Sequence, residues 1–391
     1  MDFRLSPAQE KARATLRDFS ESEVAACVEQ CEREELIPAQ LIEEMSNRGY
    51  LGSIIPRELG GLGLDMITYG LLHEEIGRTS AAVRSLITVH DMVAQTILRW
   101  GSSFHREQWL NKLASGRAVA AFAVSEPNIG SDLSNVETSA RKCSDDFVLN
   151  GVKSWISFAQ LAEVFLVLAR CEGKPAAFLV ERDRPGLSVQ PQQGLLGLRG
   201  SMLGQVTLND CRVPKRSLIG REGFAMFSVV PTALALGRFS VAWGCVGIAQ
   251  ACLEASLDYT SRRKQFGVLL KDHQLIKEMI SRMVTNVKAA RLLCLHVACL
   301  KDASDPAEIS ETFVAKYFAS QAAMQAATDA VQIHGAHGCT SSAAVQRYFR
   351  DAKVMEIIEG STQIQQITIA DYSYQEMAPF SATSASLHPL R

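Results

Sequence analysis

Apolar positions along the chain fall into three successive patterns. From the first residues to about 117 they recur at helical spacing, as in "PAQLIEEMSNRGY", "MITYGLLHEEIGR" and "MVAQTILRWG". Ser6 and Pro7 supply a cap and a first-turn residue for the opening helix. "PRELGGLGLD" interrupts the helices as a Gly-rich loop. From about 118 the texture changes to short β-branched runs between turn residues: "FVLNGVKSWIS", "VFLVLARC", "AAFLVERD", "LSVQPQ" and "GQVTLNDCRVP". That pattern predicts a compact antiparallel β-domain ending near 224. From 225 long Ala-rich segments return, among them "FSVAWGCVGIAQACLEASLDYTSRR" and "ISETFVAKYFASQAAMQAATDAVQIHG". Their length and short connections predict a helical bundle over 225–376. The remaining stretch, 377–391, is rich in Ser, Ala and Pro and is expected to be a disordered tail.

Composition narrows the function classes. With 391 residues there is room for two or three domains, and 47% apolar with 21% charged residues is ordinary for a soluble globular chain. A net charge of -2 offers no global basic field, so neither nucleic acid nor a membrane is an expected partner. The ten cysteines form no CxxC pair and no His/Cys cluster at metal-ligand spacing, so free thiols and no metal are expected. Cys27 and Cys31 share one helical face. The start lacks an apolar targeting segment, and no run of eighteen uncharged apolar residues predicts a membrane span. A cytoplasmic protein is the resulting expectation.

Five stretches and one lone arginine could carry chemistry. In "VMEIIEGSTQIQQ", Val354, Ile357, Ile358, Ile364 and Ile367 make an apolar face, and Glu359 sits at its break before Gly360, Ser361 and Thr362. Burying that carboxylate charged and unpaired would cost several kcal/mol. Either the helix stops and the acid meets water, or a dry pocket there removes a proton. "AFAVSEPNIGSD" ends a strand-like run at Ser125, and Gly130-Ser131-Asp132 permits a turn whose N–H groups and hydroxyls could hold a polar ring edge or a phosphate. An ordinary strand-to-loop connection is the alternative. "GVKSWISF" places Trp155 beside Ser157, either an apolar wall with a hydroxyl for a heterocycle nitrogen or a core tryptophan. "RRKQFGVLLKDHQ" puts Arg263 and Gln265 at a helix end with Gly267 as the stop signal, or is simply an exposed basic turn. "QIHGAHG" reads as a helix C-cap. Arg238 is a lone cation in an apolar helix, either snorkelling or buried against an anionic or carbonyl partner.

Taken in order, "SEPxxGSD", "KSWIS", "GR", "YxxxRxQFG…HQ", "QxxGxxG" and "RDAK…IxEGxxQ" resemble the flavin-dependent acyl-CoA dehydrogenase superfamily over about 3–373. "GRFSVAWGCVGIAQ", "DHQL" and "RDAKVMEIIEGS" are similar to the subgroup that makes hydroxymalonyl or methoxymalonyl units on an acyl carrier protein in polyketide pathways. The resemblance implies a mainly α fold with a central β-domain: an N-terminal helical domain (1–117), a middle antiparallel β-barrel (118–224) and a C-terminal four-helix bundle (225–376). It implies FAD between β-domain and bundle. The stretch Phe122 to Ser131, with Val124, Ser125 and Gly130, would lie along the isoalloxazine and ribityl chain, and Trp155, Ile156 and Ser157 would cover the other side. Arg263, Lys264, Gln265, Phe266, His273, Gln274, Gln332, Gly335 and Ala336 would receive the adenosine and pyrophosphate half from a neighbouring subunit. Ser361, Thr362 and Gln363 would contact the cofactor of their own subunit. A shared site implies a homodimer or homotetramer.

By the same resemblance Glu359 abstracts the α-proton of an acyl thioester, with Ser131, Arg238 and Gly360 as substrate contacts. Some relatives place the base just before the helix arginine, where this chain has Gly237. There are departures: Ala336 replaces a glycine, Ile358 an aromatic residue, and Ala235 an acid that meets pantetheine in many CoA users. The expected reaction is FAD-dependent oxidation of a three-carbon oxygenated acyl group on an acyl carrier protein towards hydroxymalonyl. Aminomalonyl formation is a close variant. The enzyme alternative is a catabolic short-chain acyl-CoA dehydrogenase forming a 2,3-enoyl-CoA, and the non-enzyme one a helical scaffold. The electron acceptor would be an electron-transfer flavoprotein or oxygen. Arg262, Lys264 and Lys271 are the candidate cations for a carrier protein.

Overall fold

The computed structural model describes residues 4–384. Six helices come first: α1 (Pro7–Phe19), α2 (Ala25–Glu34), α3 (Ala39–Asn47), α4 (Met66–Thr79), α5 (Ala81–Trp100) and α6 (Ser103–Ala114). The Ser6 hydroxyl accepts from the Gln9 N–H and Gln9 reaches back to the Ser6 N–H, so both ends of a capping box are present. Ser102 and His105 form a second capping box at α6, while the Asp65 and Ser80 side chains cap α4 and α5 by accepting from the Thr68 and Val83 N–H groups.

Eight strands follow: β1 (Ala120–Ala123), β2 (Ser139–Cys143), β3 (Asp146–Ile156), β4 (Val164–Cys171), β5 (Lys174–Glu181), β6 (Leu187–Pro191), β7 (Gly204–Pro214) and β8 (Leu218–Ile219). They pair in the order β6-β7-β3-β2-β4-β5-β8, with β1 also on β4. The sheet is not wholly antiparallel as expected. β1 and β2 both run parallel to β4. The reason is connectivity: a long loop after β1, not a tight hairpin, returns the chain to the sheet. Phe147, Leu149, Phe165, Val167, Phe178 and Val206 fill the β-core.

The last part comprises α7 (Val229–Arg262), the hairpin β9 (Lys264–Gln265) and β10 (Val268–Leu269), α8 (Gln274–Asp302), α9 (Glu308–His334), α10 (Ala344–Met355) and α11 (Thr362–Ser384). Since α11 runs to Ser384, the chain stays helical past 376, where a tail was expected; 385–391 lie outside the described residues. Helix α7 packs on α4 and α5 on one side and on α8 and α9 on the other, giving the two helical regions one continuous core. Glycines allow the close approach: a Cβ on Gly70 would lie 2.2 Å from the Trp243 ring, and one on Gly247 2.3 Å from the Glu74 carbonyl. Ala225–Arg262 and Gln274–Asp302 are each long and apolar enough to cross a membrane by length and composition, a test that the core helix of a globular protein also passes. Their apolar content serves the core, since α7 has helices on both sides.

Candidate active site

Beyond α10 the chain reverses into α11 through two consecutive left-handed residues, Glu359 at φ 55° and Gly360 at φ 92°. Glycine takes that conformation freely, whereas Glu359 needs to be held in it. Arg238 Nε donates to the Glu359 carbonyl at 3.1 Å. Gln365 Nε2 donates to the same carbonyl at 3.1 Å and to that of Gly360 at 2.9 Å, and Lys316 Nζ donates to the Gly360 carbonyl at 2.8 Å. Donors on α7, α9 and α11 therefore fix one turn of backbone. Arg238 is thus an arginine with a carbonyl partner, its guanidinium also 4.3 Å from the Phe313 ring centroid.

The Glu359 side chain rests against α7 at Gly237. A Cβ there would lie 2.5 Å from Glu359 Oε2 and 2.9 Å from Met92 Sδ, so only glycine leaves room for the carboxylate. Oε2 is buried without a hydrogen-bond partner among the described residues. Desolvation pushes the carboxyl up to about 7, against the opposing pull of Arg238, Lys316 and Arg84. Burial in turn lowers Lys316 to about 8 and also lowers Arg238 and Arg84. The result is a dry carboxylate whose proton affinity suits general-base work near neutral pH.

The Ser125 loop is fastened from below by a buried ion pair that sequence reasoning missed, Lys153 Nζ to Glu126 Oε1 at 2.7 Å. Glu126 also accepts from the Glu137 and Thr138 N–H groups at 2.6 and 2.8 Å, and Lys153 donates to the Val124 carbonyl at 3.3 Å. Phe122 is half-buried, Val124 buried and Ser125 half-buried, while Gly130 and Ser131 are exposed. The Ser154 N–H donates to the Ser125 carbonyl at 3.0 Å, bringing the loop beside Trp155. The β3–β7 register slips between Lys153 and Ile156. This irregularity carries Trp155 into a left-handed conformation, φ 61°, leaving its side chain outside the β-core. Trp155 is 60% exposed, and Gln192 Oε1 accepts its backbone N–H at 2.9 Å. Ile156, grouped with it as a cofactor contact, has its side chain in the β-core, so only its backbone could face a ligand. Ser157 is half-buried.

A cavity of about 540 Å³ gathers Arg263, Gln265, Gly335 and Ala336 with Tyr259 and His337. Tyr259 stacks on His334 at 4.2 Å between centroids. Gly267 is not the helix stop. Helix α7 ends at Arg262, and Phe266 (φ 52°) with Gly267 (φ 82°) forms the two-residue turn of the β9–β10 hairpin. Phe266 is 95% exposed at the hairpin tip. Exposed Lys264 lies on β9, and His273 Nε2 is 3.3 Å from the Gln265 carbonyl. Gln274 opens α8 and Gln332 lies in the last turn of α9. Ser361 accepts from the Ile364 N–H at 3.4 Å, and Gln363 is exposed. Thr362 is buried, and its hydroxyl donates to the Glu356 carbonyl at 3.3 Å, which supports the turn.

A second cavity, about 740 Å³, is lined by Ala235 and Leu236 together with Gln95, Arg99, Lys301 and Ile309. The cations beside Ala235 are therefore Arg99 and Lys301. Arg262 lies at the opposite end of α7, roughly 40 Å away along the axis, and Lys264 and Lys271 follow it. Those three do not line this cavity. Lys316 was also missed, although as a lone cation in "ETFVAKYFAS" it carries the same signal as Arg238. Gln365 carries no sequence signal; only the turn that it braces reveals its role.

The N-terminal, middle and C-terminal domain models of acyl-CoA dehydrogenase match residues 6–117, 121–211 and 227–373. The chain belongs to the acyl-CoA dehydrogenase family. It is 36% identical over 364 residues to the short-chain specific acyl-CoA dehydrogenase of Homo sapiens mitochondria, covering 92% of this chain and 88% of the human protein. The butyryl-CoA dehydrogenase of Megasphaera elsdenii superposes with a TM-score of 0.92 at 30% identity, covering 96% of this chain and all of the other. FkbI, described as acting in biosynthesis of the methoxymalonyl extender unit of the polyketide Fk520, superposes at 0.84 with 32% identity, covering 93% of this chain and 99% of the other. Members of the family are FAD-dependent oxidoreductases acting on CH–CH groups, and this acyl-CoA dehydrogenase is such an enzyme. The residues present suit that cofactor: an exposed indole held in a sheet irregularity, an exposed Gly-Ser turn and a carboxylate with an unpartnered oxygen.

Proposed function

We propose that this acyl-CoA dehydrogenase oxidises a short acyl thioester, with Glu359 removing the α-proton. The carrying observation is the Glu359 carboxylate, desolvated against Gly237 with Oε2 unpartnered and its backbone gripped by Arg238, Lys316 and Gln365. When bound, FAD supplies the hydride acceptor. Ser125, Ser131, Trp155 and Ser157 would hold its ring system, and Arg263, Gln265 and Gly335 the adenosine half of a neighbour's cofactor. The Gly360 N–H would donate to the thioester carbonyl and so stabilise negative charge developing there as the proton leaves. The exposed Phe266 hairpin supports a dimer or tetramer, since large exposed apolar tips mark interaction sites. Electrons would pass on to a flavoprotein carrier or to oxygen.

The human and Megasphaera relatives favour a short-chain acyl-CoA as substrate. A second reading, an oxygenated three-carbon acyl group on an acyl carrier protein oxidised towards hydroxymalonyl, is favoured by Ala235 in the 740 Å³ cavity and by the likeness to FkbI. The deciding experiment offers the same acyl group on CoA and on a carrier protein, following flavin bleaching in single turnover. An advantage of at least ~10-fold in kcat/KM for the carrier, about 1.4 kcal/mol, supports the second reading. Equal or faster bleaching by CoA thioesters supports the first. No bleaching by either across short acyl groups would refute the proposal.

A further inference from the structure

Arg84 on α5 is a cation buried without a salt bridge among the described residues. It is 0% exposed. Its Nη1 donates to Thr88 Oγ1 at 2.7 Å, its Nη2 meets Met355 Sδ at 3.8 Å, and its Nε has no partner. Such burial is costly unless a negative charge nearby offsets it. The fold nonetheless makes room for this side chain. A Cβ on Gly244 would lie 2.5 Å from Arg84 Cδ and 2.8 Å from its Nε, and one on Gly77 3.5 Å from Cδ.

The groups facing Arg84 come from every element around it: Tyr69 and His73 on α4, Cys245 on α7, Asp351 on α10, and Glu359. Desolvation holds Tyr69 and Cys245 protonated and His73 neutral. Asp351 already accepts from the Leu198 N–H at 2.7 Å and lies beside Arg347. Of the two carboxylates, Glu359 is the one with an unpartnered buried oxygen. A polar chain also runs from Arg84 to the α7 backbone beside Glu359. Ser240 Oγ lies 3.1 Å from Thr88 Oγ1 and donates to the Gly237 carbonyl at 2.9 Å, and Gly237 is the surface on which the Glu359 carboxylate rests.

We propose that Arg84 is a positioning residue for the base: its buried charge favours the ionised Glu359 carboxylate, and its chain through Thr88 and Ser240 fixes the α7 surface beneath it. This rests on Glu359 as the base, where Arg238 on α7, Lys316 on α9 and Arg84 on α5 are the opposing charges and Glu356 is the nearest acid in the same turn. Arg84 remains charged throughout; it neither gives nor takes the proton.

The test compares Arg84→Lys and Arg84→Met in the flavin-loaded enzyme. With the charge removed, the acid limb of kcat/KM should move up by about one pH unit in Arg84→Met. Arg84→Lys should keep the midpoint within a few tenths of a unit while lowering kcat, because a lysine cannot reproduce the planar contacts to Thr88 and Met355 together. A second readout needs no substrate. The stability gap between each protein and its Glu359→Gln derivative should level off above pH 8 in the wild type but keep growing to pH 9 with Arg84→Met. If Arg84→Met does not fold, Arg84→Gln takes its place. An unmoved limb together with an unchanged stability gap would overturn the proposal. Absence of any Glu359-dependent limb in the wild type would instead overturn Glu359 as the base.

Discussion

Replacing Glu359 by Gln should stabilise the protein at alkaline pH while abolishing its chemistry. Burial raises the folded-state pKa from an ordinary 4.5 to about 7. A carboxyl whose folded value lies above its unfolded value favours folding at low pH and opposes it once both states are ionised. Proton linkage makes the full effect about 3.4 kcal/mol, from about 2.5 units at 1.36 kcal/mol each. At pH 5 about 0.8 kcal/mol of this difference has developed, and by pH 8 nearly all of it. The Gln amide does not titrate, so its own hydrogen bonds add only a constant offset. The assay is urea unfolding of both flavin-loaded proteins, followed by tryptophan fluorescence at pH 5, 6, 7 and 8. The stability gap in favour of Gln should widen by about 2.5 kcal/mol across that range. A gap that stays constant, or narrows as pH rises, would show that the carboxylate is hydrated or fully paired and would refute the dry-base argument.

Other consequences can be checked directly. In the wild type, kcat/KM should rise with pH through a limb near 7, the value to which burial pushes Glu359, and Glu359→Gln should lose at least ~10²-fold in turnover while keeping flavin absorbance. Gly237→Ala puts a methyl group 2.5 Å from Oε2 and should lower kcat by ~10²-fold or more through displacement of the base; unchanged turnover would mean that the carboxylate sits elsewhere. Glu126→Gln leaves Lys153 buried beside a neutral partner and should cost about 3 kcal/mol in urea unfolding, whereas a change below 0.5 (about the noise of such data) would show the pair to be hydrated. Arg263→Ala should weaken flavin retention more than it lowers Tm, and a fully flavin-loaded monomer on gel filtration would contradict a shared cofactor site.

How legible the site was depended on whether a residue's role is local. Glu359 was legible because an acid at the break of an apolar face is a local anomaly, and the fold resolves that anomaly as a desolvated carboxylate. Arg238 was legible as a lone cation, but its partner, the Glu359 carbonyl, lies 121 residues away and could not be read from spacing. Ile156 and Trp155 show the opposite failure. In a regular strand neighbouring side chains take opposite faces, and only the register slip against β7 decides that the indole is exposed while the isoleucine fills the core. Gly267 read as a helix stop because a glycine after a basic turn usually is one, yet the chain had already left the helix at Arg262.

The sequence by itself determined the succession of helices, strands and helices, the order of the motifs, and the identity of one acid placed where a carboxylate is costly. Those features depend on periodicity, on capping residues such as Ser6 and Asp65, and on local contrast between neighbours. Tertiary structure decided which charges face that acid. Arg84, Lys316 and Arg238 come from three helices separated by up to 232 positions and converge on Glu359, with Gly237 and Gly244 leaving room on α7 for the Glu359 carboxylate and the Arg84 side chain. Electrostatic interaction falls with distance in space and not along the chain, so the proton affinity of that carboxylate becomes a property of the packed fold.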